Sequence, residues 1–293
     1  MVKLKRGKGG GWKENFWVGI IVIIITGLLV FLLSQAYTEQ KENERIKSQI
    51  ESSLLTADSR LDSGQYEDAI NLYEALLNKI SSKEFPYEYA WAQNNVGVAY
   101  CNLALIKDKE KHLKNAIQAY DEALKISTVE RYPVNYATTQ NNLGNAYRNL
   151  AEVRDKEANL KSAIEAYDQA LKIRTVERYP VDYAGTQNNL GTAYSTLAEV
   201  RDKEANLKSA IEAYDQALKI RTVERYPVDY AMTQNNLGTA YSTLAEVRDK
   251  EANLKSAIEA YDEALKIYTE EEYPILNQIV KSNLELALSQ NQQ

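Results

Sequence analysis

The sequence predicts an all-α protein made of stacked helix pairs and preceded by one transmembrane helix. An aromatic-proline pair recurs every 47 residues, at Phe85-Pro86, Tyr132-Pro133, Tyr179-Pro180, Tyr226-Pro227 and Tyr273-Pro274. Between these pairs, apolar residues follow a helical period. The chain has only 12 Gly and 5 Pro in 293 residues, and residues 16–33 form an uncharged apolar run. A fixed repeat period of this length predicts a solenoid of helix pairs.

The N-terminal segment is interpreted as a membrane anchor. The run at 16–33 would extend about 27 Å as a helix, enough to cross the hydrocarbon core with its flanking residues. Residues 1–14 are a basic tail, with five basic side chains against Glu14, and the 15 residues after Leu33 balance Lys and Arg with Glu. The positive-inside rule therefore predicts a single-pass protein with a cytoplasmic N-terminus and an extracytoplasmic body.

Two alternatives for this segment stay open. Ser34-Gln35-Ala36 resembles a small-x-small cleavage site, which would make the segment a removable signal peptide. A buried core helix is the third interpretation, although the run has hardly any polar face. Under the favoured interpretation, residues 15–34 form the transmembrane helix, and the polar residues 35–49 continue it as a helical stalk.

Each 47-residue unit contains two helical patterns. The first begins at Pro133, whose fixed φ suits a first helical position, and continues through Ala137, Gln140, Leu143, Gly144 and Tyr147. The second runs through Leu160, Ala163, Ile164, Tyr167, Ala170, Leu171 and Ile173. Asp155 is expected to cap the second helix. Residues 157–184 and 204–231 are identical, which indicates duplication of a whole structural unit.

These residues resemble the tetratricopeptide repeat (TPR). The family places Leu-Gly-x-x-Tyr on its first helix, helix A, and Ala-x-x-x-Tyr-x-x-Ala on its second, helix B. Here Leu143, Gly144 and Tyr147 match the first motif, and Ala163, Tyr167 and Ala170 match the second, with equivalents in every long unit. The unit is longer than the 34-residue family repeat, and Gln93, Gln140, Gln187 and Gln234 occupy the family's Trp position. Long repeats with an Asn-Asn-Leu stretch resemble the kinesin-light-chain subtype.

The resemblance implies a right-handed TPR α-solenoid of about five helix pairs with a C-terminal capping helix. One short TPR is expected first, because Gly64, Tyr66, Ala69 and Tyr73 match the family's turn and helix B. The capping helix is expected to expose a polar face, since Glu285 replaces the motif Gly. The predicted repeats are 50–84 (short), 85–131, 132–178, 179–225 and 226–272, with the capping helix and tail at 273–293.

Composition excludes several classes of site. One Cys and one His allow no internal disulfide, no zinc cluster of cysteines and histidines and no CxxC pair. The net charge is −6 with the tail at +4, so the remainder carries −10 and repels nucleic acid. We therefore expect no nucleic-acid partner, no metal, no cofactor, no small-molecule substrate and no catalytic residues, and we predict that the protein is not an enzyme.

The candidate site lies on one side of the A helices, where the resemblance places peptide ligands. Its residues are mostly consecutive Asn pairs that recur in each unit, and carboxamides can hydrogen-bond an extended backbone. The resemblance carries backbone contact to the second Asn of each pair: Asn95, Asn142, Asn189 and Asn236. The alternative is that these Asn side chains solvate the groove or bond a neighbouring helix. The full candidate set is Trp91, Asn94, Asn95, Asn141, Asn142, Asn145, Arg148, Asn188, Asn189, Asn235 and Asn236.

Three single residues complete this set of expectations. Trp91 is expected either to anchor a partner or to pack against the short first repeat. Cys101 has no reliable basic neighbour to lower its pKa, and His112 is expected at the surface or as a cap. The sequence thus predicts a membrane-anchored scaffold for protein or peptide partners; the alternative is a structural spacer or self-associating module.

Overall fold

A computed structural model describes residues 11–292, with side chains described from residue 16. The described residues form eleven α-helices and no strand, which confirms the predicted all-α class. The helices are α1 Gly11–Asp62, α2 Tyr66–Leu77, α3 Pro86–Leu103, α4 Lys109–Leu124, α5 Pro133–Leu150, α6 Lys156–Leu171, α7 Pro180–Leu197, α8 Lys203–Leu218, α9 Pro227–Ala245, α10 Lys250–Leu265 and α11 Pro274–Asn291. Most of the basic tail predicted at 1–14 lies outside the described residues.

The chain divides into two compact units, with the boundary between Leu55 and Thr56. The first unit contains most of α1, whose residues 16–33 are apolar and almost entirely exposed. By length and composition this helix is a candidate membrane span, and no part of its most apolar stretch is buried by protein. The second unit contains the end of α1 and all the helix pairs.

The first helix of each long repeat begins at proline, as predicted. Pro86, Pro133, Pro180, Pro227 and Pro274 each occupy the first turn of their helix. Proline has no N–H to leave unsatisfied there, and its fixed φ is already helical. The 47-residue spacing of the aromatic-proline pairs is therefore the spacing of helix starts. We call α3, α5, α7, α9 and α11 the A helices, and α2, α4, α6, α8 and α10 the B helices.

The second helix has the expected N-cap residue, but that residue does not cap the helix through its side chain. Asp155 occupies the N-cap position, but its side chain makes no capping hydrogen bond and its φ is 42°. Its carboxylate instead accepts a hydrogen bond from Arg154 Nε at 3.0 Å, and its backbone oxygen accepts one from Asn159 N at 3.0 Å. Aspartate tolerates the left-handed region better than most residues. Asp108, Asp202 and Asp249 repeat the same conformation.

The core of the repeats is continuous from one helix pair to the next. In one cluster, Ala163 and Tyr167 of α6 pack against Leu190 and Ala193 of α7 and Ala213 of α8. Tyr167 is fully buried. Each helix pair thus supplies one wall of its neighbour's core, which explains why single repeats of this kind are not independent folding units.

The A helices form the inner layer of the array. Each A helix from α3 to α9 contacts the next A helix, whereas among the described residues no two B helices contact each other. Closer approach on one side curves the array toward that side, so the A helices line its concave surface. We call the side of the A helices that faces away from the B helices the inner face.

The capping helix packs through Val280, Leu284 and Ala287 against α9 and α10. Glu285 is exposed as predicted, but the expectation of a polar outer face is wrong. Large apolar side chains are also exposed along α11: Ile275, Leu276, Ile279, Leu286 and Leu288. The prediction failed because it was based on one position, where Glu replaces the motif Gly. The other exposed positions of the helix are occupied by apolar residues.

Candidate functional site

The predicted site residues lie on the A helices α3, α5, α7 and α9. The first Asn of each pair is a hydrogen-bond acceptor between repeats. Asn94 Oδ1 accepts from Thr139 Oγ1 at 3.2 Å and from Asn142 Nδ2 at 3.3 Å. Asn141 accepts from Thr186 at 3.2 Å and from Asn189 at 3.4 Å.

The same arrangement continues to the end of the array. Asn188 Oδ1 accepts from Thr233 Oγ1 at 3.2 Å and from Asn236 Nδ2 at 3.4 Å, and Asn235 accepts from Asn283 Nδ2 at 3.3 Å. For the first Asn of each pair, the structure therefore agrees with the alternative in which the side chain bonds a neighbouring helix. Each bond joins one A helix to the next, so the Asn pairs hold successive repeats in register.

The second Asn keeps one free group in three of the four long repeats. Asn142, Asn189 and Asn236 each use Nδ2 for the bond to the preceding repeat. Among the described residues, no donor bonds the Oδ1 atom of these three side chains, which are all half-buried. An acceptor oxygen that is half-buried and unpaired can receive a backbone N–H from a bound segment.

Asn95 differs from its equivalents. Its Nδ2 donates to Asp58 Oδ1 at 2.9 Å and to Tyr73 Oη at 3.3 Å, and its Oδ1 accepts from Asn94 Nδ2 at 3.0 Å. With 9% of its surface exposed, Asn95 is part of the core of the first repeats. Asn95 therefore has no free side-chain group with which to contact the backbone of a bound peptide, as the TPR resemblance had implied for this position.

Asn145 and Arg148 lie about one and two turns further along α5. Asn145 Oδ1 accepts a hydrogen bond from Tyr167 Oη at 2.8 Å. Arg148 is half-buried, and among the described residues it has no hydrogen bond or ion pair. Burial raises the pKa of Tyr167 and Tyr214, and the Arg148 charge opposes the rise in both. Arg148 therefore places a positive charge near the C-terminal end of α5.

Trp91 retains exposed surface on the inner face. Its indole stacks on Tyr87, with ring centroids 6.4 Å apart and planes 17° apart, and Tyr87 meets the edge of Tyr132. The exposed fraction of Trp91 is 37%. The ring is thus held in place by aromatic contacts while one surface stays available to a partner.

Sequence reasoning missed two buried arginines. Arg174 and Arg221 follow the B helices α6 and α8 and are only 9% exposed, beneath the inner face. Arginine is a surface residue in most proteins, and the helical period ends before these positions, so no periodic signal marks them. Desolvation lowers the pKa of both guanidinium groups, and Asp182 and Asp229 oppose the shift.

Cys101 and His112 lie in the first long repeat. Burial raises the pKa of Cys101 to about 11, although a hydrogen bond from Tyr120 opposes the rise.

The expectation that His112 lies at the surface is wrong. His112 is 8% exposed and stacks on Tyr100, and among the described residues neither of its ring nitrogens has a hydrogen-bond partner. Its equivalents Asn159, Asn206 and Asn253 donate to the backbone of the preceding turn. Among the described residues, no group of three His, Cys, Asp or Glu is arranged to hold a metal ion.

Family models of the tetratricopeptide repeat match residues 98–128, 137–175 and 187–222. A kinesin light chain protein of Podospora anserina with nearly identical TPR-like repeats has a similar structure, with a TM-score of 0.54 and 17% identity over 77% of this chain and 97% of that one. A thermophilic TPR protein of Thermus thermophilus gives a TM-score of 0.50 and 19% identity over 80% of this chain and 99% of that one. No curated protein matches the sequence.

The repeat models fall on the same A and B helices that carry the Leu-Gly-x-x-Tyr and Ala-x-x-x-Tyr-x-x-Ala motifs, and the similar solved structures share the fold at low identity. The chain therefore contains tetratricopeptide repeats.

Proposed function

We propose that this protein is a membrane-anchored scaffold that binds an extended segment of a protein partner along the inner face. TPR arrays form interaction scaffolds with extended concave surfaces. The observation that carries the proposal is the row of unpaired Oδ1 atoms on Asn142, Asn189 and Asn236. A backbone in extended conformation presents N–H groups at regular intervals and can donate to such a row.

Two further features support the proposal. Trp91 offers a partly exposed aromatic ring near one end of the inner face, and buried aromatic anchors often dominate binding. The apolar helix α1 supports anchoring, because residues 16–33 expose their apolar side chains and the charge bias favours a cytoplasmic N-terminus. The body would then meet its partner outside the cytoplasm.

One observation favours the alternative of a structural spacer or self-associating module. The Oδ1 atom of the first Asn of each pair accepts a hydrogen bond from the next repeat, which is sufficient to explain its presence without a ligand. The two functions differ in what the second Asn does, and that difference can be measured.

The test is a cross-linked capture of partners from native membranes. The intact protein is compared with an inner variant, Asn142, Asn189 and Asn236→Ala, and with a control variant, Asn159, Asn206 and Asn253→Ala. Each of the six residues donates one hydrogen bond through Nδ2, so the two variants lose the same number of bonds. Only the location differs, since the control residues lie at the start of the B helices.

The proposal predicts that the intact protein and the control variant capture the same partner and that the inner variant loses it while its helical circular dichroism is unchanged. If all three capture the same set of proteins, the spacer alternative is the better account. Extraction of the membranes with alkaline carbonate tests the anchor: the full chain should stay in the pellet, whereas a soluble chain shortened near Ala36 would indicate a cleaved signal peptide.

A further inference from the structure

The residue that follows each B helix by three positions lies beneath the inner face. In the four long repeats these residues are Ser127, Arg174, Arg221 and Tyr268. All are 9% exposed or less. The two arginines lie between an A helix of their own repeat and the A helix of the next repeat, and the two sites differ in one residue of the inner face.

At the first site both terminal nitrogens of the guanidinium group have hydrogen-bond acceptors. Arg174 Nη1 donates to Thr186 Oγ1 at 3.0 Å, and Nη2 donates to Thr138 Oγ1 at 3.2 Å. Asp182 Oδ1 lies 3.7 Å from Nη2. The Thr138 hydroxyl therefore marks the place where an acceptor oxygen reaches this guanidinium from the inner face.

At the second site that acceptor is missing. Arg221 Nη1 donates to Thr233 Oγ1 at 2.9 Å, but Gly185 replaces the threonine. Asp229 Oδ1 is 3.6 Å from Nη2, beyond hydrogen-bond distance, and among the described residues Nη2 has no acceptor. A Cβ built on Gly185 would meet only Arg221 Nη2, at 3.8 Å. Gly185 thus opens a notch in the inner face, with a guanidinium group at its base.

Packing does not account for this glycine. Gly191, further along the same helix α7, has no room for a Cβ, because the Tyr214 ring would lie 2.7 Å away. Gly185 has that room, yet it carries the conformational cost of glycine in a helix interior. The notch is a local departure from the Thr138 site, although residues 157–184 and 204–231 around the two arginines are identical.

We propose that the notch at Gly185 binds a carboxylate, the side chain of an Asp or Glu in a protein segment bound along the inner face. The inference rests on the proposed function. A carboxylate oxygen would take the place that Thr138 Oγ1 fills at the first site and accept from Arg221 Nη2. Charge-assisted hydrogen bonds from arginine to carboxylates are among the stronger polar contacts, and this guanidinium is desolvated before the ligand arrives.

The charge of the surroundings is compatible with this ligand. Asp229 is 46% exposed and too far for a hydrogen bond, so water screens its charge and it neutralises Arg221 only in part. Desolvation lowers the pKa of Arg221, and the Asp229 charge opposes the shift. A bound carboxylate would remove the cost of a buried cation whose pairing is incomplete.

The experiment is a selection of displayed random heptapeptides on the full chain in nanodiscs, followed by fluorescence anisotropy of the selected peptides. The variants are Gly185→Thr, which restores the acceptor, and Thr138→Gly, which opens the equivalent notch at Arg174. We expect the selected peptides to share an Asp or Glu at one position. Replacing that residue with Asn or Gln should weaken binding about tenfold; Gly185→Thr should do the same, and the two losses should not add.

Thr138→Gly should create a preference for a second acidic residue. If peptides bind but share no acidic position, or if Gly185→Thr leaves the affinity unchanged, the inference is wrong and the proposed function stands. If no peptide binds the intact chain, the proposed function and the inference fail together. The Cβ added by Gly185→Thr makes only an ordinary van der Waals contact with Arg221 Nη2, at 3.8 Å, so circular dichroism should show an intact fold.

Discussion

The ring of Tyr167 packs on the backbone of Gly144 so closely that a Cβ on Gly144 would lie 2.5 Å from the tyrosine Cε1. Tyr167 is fully buried. The same relationship joins Gly97 to Tyr120, Gly191 to Tyr214 and Gly238 to Tyr261. Contact between a glycine on helix A and a tyrosine on helix B therefore sets the distance between the two helices of every long repeat.

Gly144→Ala should destabilise the fold by about 1–3 kcal/mol, the usual cost of forcing an extra methyl group into a packed core. The added Cβ must displace the Tyr167 ring or separate α5 from α6. The free energy of unfolding measured by urea titration would check the prediction. A value equal to that of the intact protein would mean that the ring relaxes and that the Gly–Tyr contact does not set the helix distance.

Gly185→Ala is the matched substitution at a position with room for the side chain. It should stabilise the protein by about 0.5–1 kcal/mol, because alanine loses less backbone freedom than glycine when a helix forms. The same urea titration serves as the measurement. A loss of stability would show that Gly185 has a packing role that its open surroundings do not reveal.

The hydrogen bonds of the Asn pairs predict an order of effects. Asn188→Ala removes an acceptor for two inter-repeat bonds, from Thr233 and Asn236, whereas Asn236→Ala removes one. At about 0.5–1.5 kcal/mol per bond, Asn188→Ala should cost about 1–3 kcal/mol and Asn236→Ala roughly half as much. Chemical denaturation of both variants tests the order, and a larger loss for Asn236→Ala would contradict it.

The Cys101 thiol should react slowly at neutral pH. Its pKa is raised to about 11 by burial, so at pH 8 the thiolate fraction is about a hundredfold below that of an ordinary cysteine. The alkylation rate with iodoacetamide, followed by mass spectrometry from pH 7 to 11, should rise steeply with pH throughout. A rate that levels off near pH 8.5 would show an unperturbed thiol.

The stability contribution of this thiol has a defined sign. The folded state holds the proton to a higher pH than the unfolded chain, whose thiol has a pKa of about 8.5. The contribution is therefore complete below that pH and is lost as the pH rises toward about 11. Serine does not titrate in this range. Measuring the free energy of unfolding of Cys101→Ser against pH therefore separates the contribution of the thiol from that of the tyrosines.

Much of the fold could be predicted from the sequence because a solenoid repeats its local signals. Leu143, Gly144 and Tyr167 are buried in the positions that the helical period and the TPR motif require. The start of each A helix at proline follows from elementary backbone geometry. The prediction of a polar face on α11 was wrong because it was inferred from a single charged residue, Glu285.

The functional surface was less predictable. A helical period shows which residues of α7 share a face, but not that Asn188 meets Thr233 and Asn236 of the next A helix, because that contact depends on the stagger between repeats. Arg174 and Arg221 were missed since residue type favours a surface position. His112 was placed at the surface because its equivalents are Asn, although its ring stacks on Tyr100.

The central claim is that a partner occupies the inner face, and site-specific photo-crosslinking tests it most directly. Benzoylphenylalanine would replace Met232, an exposed residue on the inner face of α9, or Glu212, an exposed residue on the B helix α8. Illumination in native membranes should give a crosslink to one defined protein from position 232 and none from position 212. The same products from both positions, or products from position 212 alone, would contradict the account.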